Sequence, residues 1–338
     1  MPNSITKMST YDRRRQACRL GGFYIVDQGR VLTEVLDQNF VTVLVFLAML
    51  RANVDGITAS PDIALRHLGI TQTPPDDYRM PVSVYALARN LSLPYETARR
   101  HVLKLKDAGL CIAVAGGLIV PTSLLMGPEA RDAALATQRA VQVFVDEADR
   151  FGIVGLPESV STSADAPLQV ARLTTDYLVD GVVMMSRTLE VDTVGALAMQ
   201  AVGLMNTASL RRDPALGSEF GGLADIPPDH LRRPVSVYSV AKFLRLPYET
   251  TRRTLHWLVE LGLVHRDDNG AMIVPTEVYA RPEIVAGYDR FAQLTQTFLD
   301  RLAEYGVKGR RPDDRRVPGV SALRPVAMAG ASAGGALS

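Results

Sequence analysis

One stretch of this chain occurs twice. Pro81 to Leu110 read PVSVYALARNLSLPYETARRHVLKLKDAGL, and Pro234 to Leu263 read PVSVYSVAKFLRLPYETTRRTLHWLVELGL, 153 residues later, with 17 of 30 positions identical. Unrelated segments of ordinary composition would share about two. The duplication is wider than this stretch, because Tyr24-Ile25-Val26-Asp27 matches Tyr177-Leu178-Val179-Asp180 at the same offset, and Phe144 and Asp146 answer Phe298 and Asp300 at an offset of 154. A period this long implies two domains rather than a solenoid. At 338 residues and 47% hydrophobic, the chain has the material for two cores.

Within the repeat, Val84 to Leu91 carries apolar residues at helical spacing until Leu93-Pro94 interrupts it, since proline disfavours an α conformation in the residue before it. Pro94 then suits the first position of a new helix, with Glu96 near the positive end of its dipole. Along this second helix Ala98, Val102 and Leu105 share one face. Glu96, Arg99, Arg100 and Leu103 point away from it, with Tyr95 at the boundary. Gly109 stops the helix, and Cys111 to Val114 and Leu118 to Val120 flank Ala115-Gly116-Gly117 as a hairpin closed by Pro121. The second copy is one residue longer at that tip, Arg266-Asp267-Asp268-Asn269-Gly270, and an insertion confined to the tip suits a surface wing.

Helix, turn, a helix with an exposed face ending in Gly-Leu, and a hairpin: this unit resembles the winged helix-turn-helix of bacterial transcription regulators of the GntR and MarR types. Ala86 to Ala88, Leu93 to Thr97, Ala98-Arg99-Arg100, Leu105 and Gly109-Leu110 carry the resemblance, together with their copies. The resemblance implies a mainly α fold with small β-hairpin wings, built as two tandem winged helix-turn-helix domains related by internal duplication. It also implies that helices 94–109 and 247–262 enter the DNA major groove while the wings lie along the backbone. Long helices flanking the unit, Glu129 to Phe151 and Glu283 to Tyr305 here, are how MarR-like proteins dimerise; the alternative is that each caps its own domain.

Charge is distributed to match. The chain totals only +1, yet Arg79 to Lys106 and Arg232 to Arg253 each hold six basic residues and one acidic, so the remainder is net acidic. Positive charge concentrated on the two motifs is the footprint a duplex requires. The guanidinium forks of Arg99, Arg100, Arg252 and Arg253 suit guanine edges or phosphate; Tyr95, Thr97, Tyr248 and Thr250 suit phosphates and, through the threonine methyls, thymine. Glu96 and Glu249 either accept from a cytosine amino group or only cap their helices. Lys104 and His256 extend the two faces, and Arg266 offers the second wing a phosphate contact offset by Asp267 and Asp268. Arg79, Arg232 and Arg233 stand just before each motif, either as phosphate contacts or as solvated surface arginines. Because the copies differ at Leu103 against His256 and Lys104 against Trp257, the half-sites need not be identical; Trp257 is expected to pack rather than read a base.

The expected organisation is a flexible basic arm over 1–20, domain one over 21–153, a Ser-, Ala- and Pro-rich linker over 154–173, domain two over 174–307 and a disordered tail over 308–338. Val35 to Leu50 and Leu189 to Met205 read as helices apolar nearly all round, packed either between the halves or within each. The long connection Ala52 to Met80 admits a short helix started by Ser60-Pro61. The apolar run Phe40 to Leu50 is too short to span a bilayer and no secretory signal is evident. Two cysteines in a chain of this size fit a reducing cytoplasm. The five histidines show none of the spacings that metal chemistry needs, and no phosphate-cradling glycine loop occurs, so neither an enzyme nor a metal or cofactor is expected. The expected function is sequence-specific binding of double-stranded DNA in transcription regulation, by a single-chain pseudo-dimer on an imperfect inverted repeat. A replication initiator of plasmid or phage type and a winged-helix protein-interaction scaffold are the alternatives. Whether two chains pair into a homodimer stays open, and no residue identifies a small-molecule effector.

Overall fold

The computed structural model describes residues 12–58, 75–153 and 166–307. The chain is mainly helical with two small antiparallel hairpins. The first half runs through α1 (Arg14–Val35), α2 (Phe40–Thr58), α3 (Val84–Asn90), α4 (Tyr95–Asp107), β1 (Ile112–Val114), β2 (Gly117–Ile119), the short α5 (Thr122–Leu125) and the long α6 (Pro128–Arg150). The second half repeats this order. It comprises α7 (Ala166–Leu189), α8 (Thr193–Asn206), two short helices α9 (Ala208–Arg212) and α10 (Pro214–Glu219), α11 (Val237–Leu244), α12 (Tyr248–Glu260), β3 (His265–Arg266), β4 (Met272–Ile273), α13 (Thr276–Tyr279) and α14 (Pro282–Glu304). The expected short helix at Ser60-Pro61, the tail over 308–338 and the linker over 154–165 lie outside the described residues.

The backbone repeats as faithfully as the sequence. Left-handed residues recur in pairs: Asp37 with Glu190, Ser92 with Arg245, Gly109 with Gly262, Gly116 with Gly270 and Gly152 with Gly306. The first pair corrects the expectation of unbroken helices over Val35 to Leu50 and Leu189 to Met205. Each chain segment turns there, and the next helix is restarted by a side-chain cap: Asn39 Oδ1 accepts from the Thr42 amide at 3.0 Å, and Asp192 Oδ1 from the Gly195 amide at 2.8 Å.

The arm and linker expectations are also corrected at their inner ends. Arg14 onward is α1, and 166–173 belong to α7. Of the three arginines read as a solvated arm, only Arg14 is exposed, paired with Asp12 and, at 2.7 Å, with Asp289. Arg13 donates to the Phe151 carbonyl and Arg15 is buried. Apolar residues of α1 such as Leu20, Phe23 and Tyr24 require that helix to be interior, which a reading of the basic N-terminus in isolation overlooked.

The two halves interlock. Helix α1 packs on α6 of its own half and on α14 of the other; α7 packs on α14 and reciprocally on α6. Helices α2 and α8, the apolar pair, each also touch the first helix of the opposite half, so the packing between halves considered from sequence is present. Where the four long helices meet, Tyr24, Phe144, Tyr177 and Phe298 form one aromatic cluster. Tyr24 stacks on Phe144 with centroids 4.7 Å apart, Tyr177 on Phe298 at 4.4 Å, and the two pairs meet with Tyr24 6.0 Å from Tyr177 and Phe144 6.0 Å from Phe298. Each tyrosine hydroxyl is satisfied by a threonine, Tyr24 by Thr174 at 3.0 Å and Tyr177 by Thr295 at 2.8 Å. Ion pairs tie the rim: Arg51 of α2 reaches Asp180 and Asp176 of α7, and Arg211 of α9 reaches Asp27 of α1 and Glu147 of α6.

A second duplicated device fastens each hairpin to the core. Asn53, fully buried in α2, donates to the carbonyls of Met80 (2.7 Å) and Leu118 (3.1 Å) and accepts from the Val120 amide (2.9 Å). Asn206 of α8 does the same with Arg233, Met272 and Val274. A single amide so joins three backbone groups at the base of the hairpin, of which the Leu118 and Met272 carbonyls also accept from the Val82 and Val235 amides. No single helix among the described residues is long and apolar enough to cross a membrane.

Two expectations follow from this packing. Because the aromatic cluster draws on both halves, the chain unfolds in one cooperative transition by calorimetry; two separable transitions would contradict the interlocked core. Asn53→Ala, which takes the side-chain partner from the Met80 carbonyl and the Val120 amide while the Leu118 carbonyl keeps the Val82 amide, lowers the unfolding free energy in urea by on the order of 2 kcal/mol.

Candidate nucleic-acid interface

Each α3–α4 or α11–α12 pair is positioned by local chemistry. Ser83 Oγ accepts from the Ala86 amide at 3.1 Å and Ser236 Oγ from the Ser239 amide at 3.1 Å, starting the first helix of each pair. Pro94 and Pro247 precede the second helices, and Gly109 and Gly262, with φ of 71° and 65°, end them. Ala98, Val102 and Leu105 are buried against α2, as are Thr251, Leu255 and Leu258 against α8, which leaves the opposite face of each helix open. On these open faces lie Tyr95, Glu96, Arg99, Arg100 and Lys104 in one copy and Tyr248, Glu249, Thr250, Arg252, Arg253 and His256 in the other, all exposed, with Thr97 half-buried. Arg233 and Arg266 are exposed as well. Tyr248, Arg252, His256 and Arg266 are brought together around one concavity of about 150 Å³ between α12 and its wing.

Arg79 and Arg232 do not belong to this surface. They are 4% and 3% exposed. Arg79 Nε donates to Thr122 Oγ1 at 3.3 Å and lies 3.5 Å from the Asp76 carboxylate, while Arg232 donates to Asp229, to the Val274 carbonyl and, at 2.5 Å, to Thr276 Oγ1. In both copies an Asp-Arg-Thr staple closes the segment before the first helix onto the turn after the hairpin. The phosphate role and the solvated role considered from sequence are both corrected, because a basic residue beside a motif says nothing about which way its stem points.

Conversely, sequence reasoning passed over Tyr85 and Tyr238. They are 68% and 66% exposed, in the first turn of α3 and α11. Their signal was available: both lie within PVSVY, which is identical in the two copies, at a position that the apolar face of the helix does not use.

The copies differ electrostatically. Glu249 accepts from Arg252 at 2.8 and 2.9 Å and from Arg253 at 3.0 Å, and these bonds hold its carboxyl down at about 2. Glu96 meets only Arg99, at 3.4 Å, so Arg100 has no ion-pair partner among the described residues. The first wing exposes Ile112 and Val114 with a Gly-Gly tip, whereas the second presents Arg266. Trp257 is half-buried and packs by its ring on α8, where a Cβ at Gly195 would lie 2.9 Å from it. His101 is buried on the inner side of α4, hydrogen-bonded to Thr42 Oγ1 at 2.7 Å. Burial first, and then Lys104 and Arg100, push its pKa down to about 4. It is a core residue and takes no part in the open face.

No protein-family model matches the chain, and neither a curated protein nor a solved structure is significantly similar to it. The arrangement of these residues is therefore what bears on function.

His101 supplies a test of this placement. Its folded pKa lies below the ordinary 6.5, so between pH 6.5 and about 4 the unfolded chain binds a proton that the native chain refuses, and stability falls as pH falls through that window. Unfolding free energies across that range should decline by on the order of 2 kcal/mol more in the wild type than in His101→Gln.

Proposed function

We propose that the chain is a double-stranded-DNA-binding transcription regulator in which two winged helix-turn-helix units, fused by duplication, act as a single-chain pseudo-dimer. The observation that carries this reading is the recurrence, on the open face of both α4 and α12, of a Tyr-Glu-Thr-x-Arg-Arg run whose arginines are exposed while the opposite face is packed. A structural helix has no need to keep two adjacent guanidiniums facing solvent in both copies, whereas a major groove offers them guanine O6 and N7. The tyrosine and threonine hydroxyls at the head of each helix suit phosphates on either side, and Tyr85 and Tyr238 widen the same surface.

The interlocked long helices support a two-fold target. With α4 and α12 related by the duplication, the two faces would address half-sites about one helical turn, roughly 34 Å, apart. Those half-sites would be unequal. Arg100 has no ion-pair partner among the described residues, whereas Arg252 and Arg253 each commit donors to Glu249 and keep the rest for a new partner. The first unit therefore contributes more of the affinity, and the second more of the discrimination, through His256, Arg266 and the displaced carboxylate.

Selection of genomic fragments by the purified chain, followed by sequencing, is expected to enrich an imperfect inverted repeat. Arg99→Ala/Arg100→Ala and Arg252→Ala/Arg253→Ala should each lose preference in one half-site, at about 1–3 kcal/mol per guanidinium that reads a base, and affinity should fall steeply with salt. Absence of enrichment at low salt, or unchanged binding in both variants, would sink the reading and favour a protein-interaction surface.

A further inference from the structure

The duplication is broken in the interior of the second half. There a cavity of about 140 Å³ opens between α1, α7, α8, the base of the second wing and α14. Its walls are largely apolar, with Met184, Met185 and Met199 contributing flexible, polarisable surface. Beside the hydroxyls of Thr188, Thr207, Tyr279 and Tyr288, three larger polar groups line it: Arg15 and Arg19 from α1, and Gln200 from α8.

These three groups are electrostatically incomplete. Arg15 and Arg19 are 3% and 6% exposed, neither is in an ion pair among the described residues, and no acidic side chain lines the cavity. Their bonds go to neutral groups only. Arg15 donates to the carbonyls of Gly222 (3.2 Å) and Leu223 (2.5 Å) and lies 4.7 Å over the Tyr288 ring; Arg19 donates to Gln16 Oε1 (2.5 Å) and to the carbonyls of Phe220 (2.8 Å) and Gly217 (3.4 Å). Two adjacent buried cations without an anion are unfavourable. The strain is visible in Arg19, whose pKa burial pushes down to about 10. The buried amide oxygen of Gln200 likewise has no partner among the described residues.

The first half carries different residues at the matching positions. Residues standing 153 positions earlier replace Met199 by Phe46, Gln200 by Leu47 and Gly203 by Leu50, all packed in the core, and the counterpart of Arg15 is Leu168. Gly203 matters sterically, because a Cβ there would sit 2.8 Å from the Tyr279 hydroxyl. A packing accident of the fold would recur in both copies. The cavity lies where Met199, Gln200 and Gly203 stand in place of Phe46, Leu47 and Leu50, and where Arg15 adds a second guanidinium to the one that Arg19 shares with its counterpart Arg172.

We propose that the cavity is a binding site for one small organic anion per chain, a carboxylate carried on an apolar body. Its volume matches a single aromatic ring, since an engineered apolar cavity of about 150 Å³ takes benzene. The carboxylate supplies the charge that Arg15 and Arg19 lack, in the forked geometry guanidinium groups favour. A hydrogen-bond donor on the ligand would complete Gln200, and the methionines adapt to the apolar part. The site contacts the wing base of the second unit only.

Calorimetric titration of the full chain with benzoate and hexanoate tests this, with benzyl alcohol and hexanol as neutral counterparts. It uses no DNA, so its outcome is independent of the regulator reading. Saturable binding of at least one carboxylate at one per chain is expected, with its neutral counterpart at least about tenfold weaker. Arg15→Gln and the pair Met199→Phe/Gln200→Leu, which installs the residues of the first half, should each weaken binding at least about tenfold. Should Arg15→Gln fail to fold, the filled variant decides, because its residues already pack in the equivalent place of the same chain. The proposal is overturned if neither carboxylate saturates, if the alcohols bind as tightly, if two equivalents bind per chain, or if the filled variant keeps the wild-type affinity.

Discussion

Four aromatic rings hold the molecule's symmetry. Tyr24 and Phe144 come from one half, Tyr177 and Phe298 from the other, and stacking within each pair and contact between the pairs bury all four where the long helices cross. Neither half can complete this cluster alone, because each pair leaves one side of its rings uncovered until the other arrives. The positions of α2 and α8 follow from it, since they pack against the first helices of both halves. The asparagine clamps then transmit those positions to the hairpins through Asn53 and Asn206. What stands outermost, the open faces of α4 and α12, is thus set by a core some way beneath.

The sequence made the repeated unit legible because its signals are local. A proline at the start of a helix, a glycine at its end and an apolar face at helical spacing are written within a dozen residues, and the described helices, hairpins and open faces match them. The long flanking helices were placed to within a residue. The interlocking of the halves was less accessible. Tyr24, Tyr177, Phe144 and Phe298 were each recognisable as repeated positions, yet nothing local states that all four converge. The helix breaks at Asp37 and Glu190 went unread because the apolar run masks them, although Asn39 and Asp192 are ordinary caps. Arg79 and Arg232 show the same limit for charge. Composition gives the sign and the neighbourhood of a guanidinium, while its burial depends on Asp76, Thr122 and their counterparts many residues away.

Fusion of two copies into one chain removes a constraint that a symmetric dimer obeys. In a homodimer each substitution appears at two places and must be tolerated at both; here Leu47 and Gln200, Lys104 and Trp257, or His101 and Thr254 can differ. The pattern of divergence follows the packing. At the pseudo-two-fold axis, where a residue meets its own counterpart, the copies stay alike, with tyrosine facing tyrosine and phenylalanine facing phenylalanine. Away from it they separate at these positions, while the Tyr-Glu-Thr-x-Arg-Arg runs of the open faces stay alike.

The separation has a direction that packing energetics explains. The first half places Phe46, Leu47 and Leu50 against its core; its Arg100 has no ion-pair partner among the described residues. The second half gives up comparable contacts around Met199, Gln200 and Gly203 and draws both of its arginines onto Glu249. Empty apolar volume costs stability roughly in proportion to its size, and buried cations without an anion add to that cost. A fold whose other copy fills the matching positions with larger apolar residues can tolerate both penalties, because the shared aromatic cluster couples the two halves.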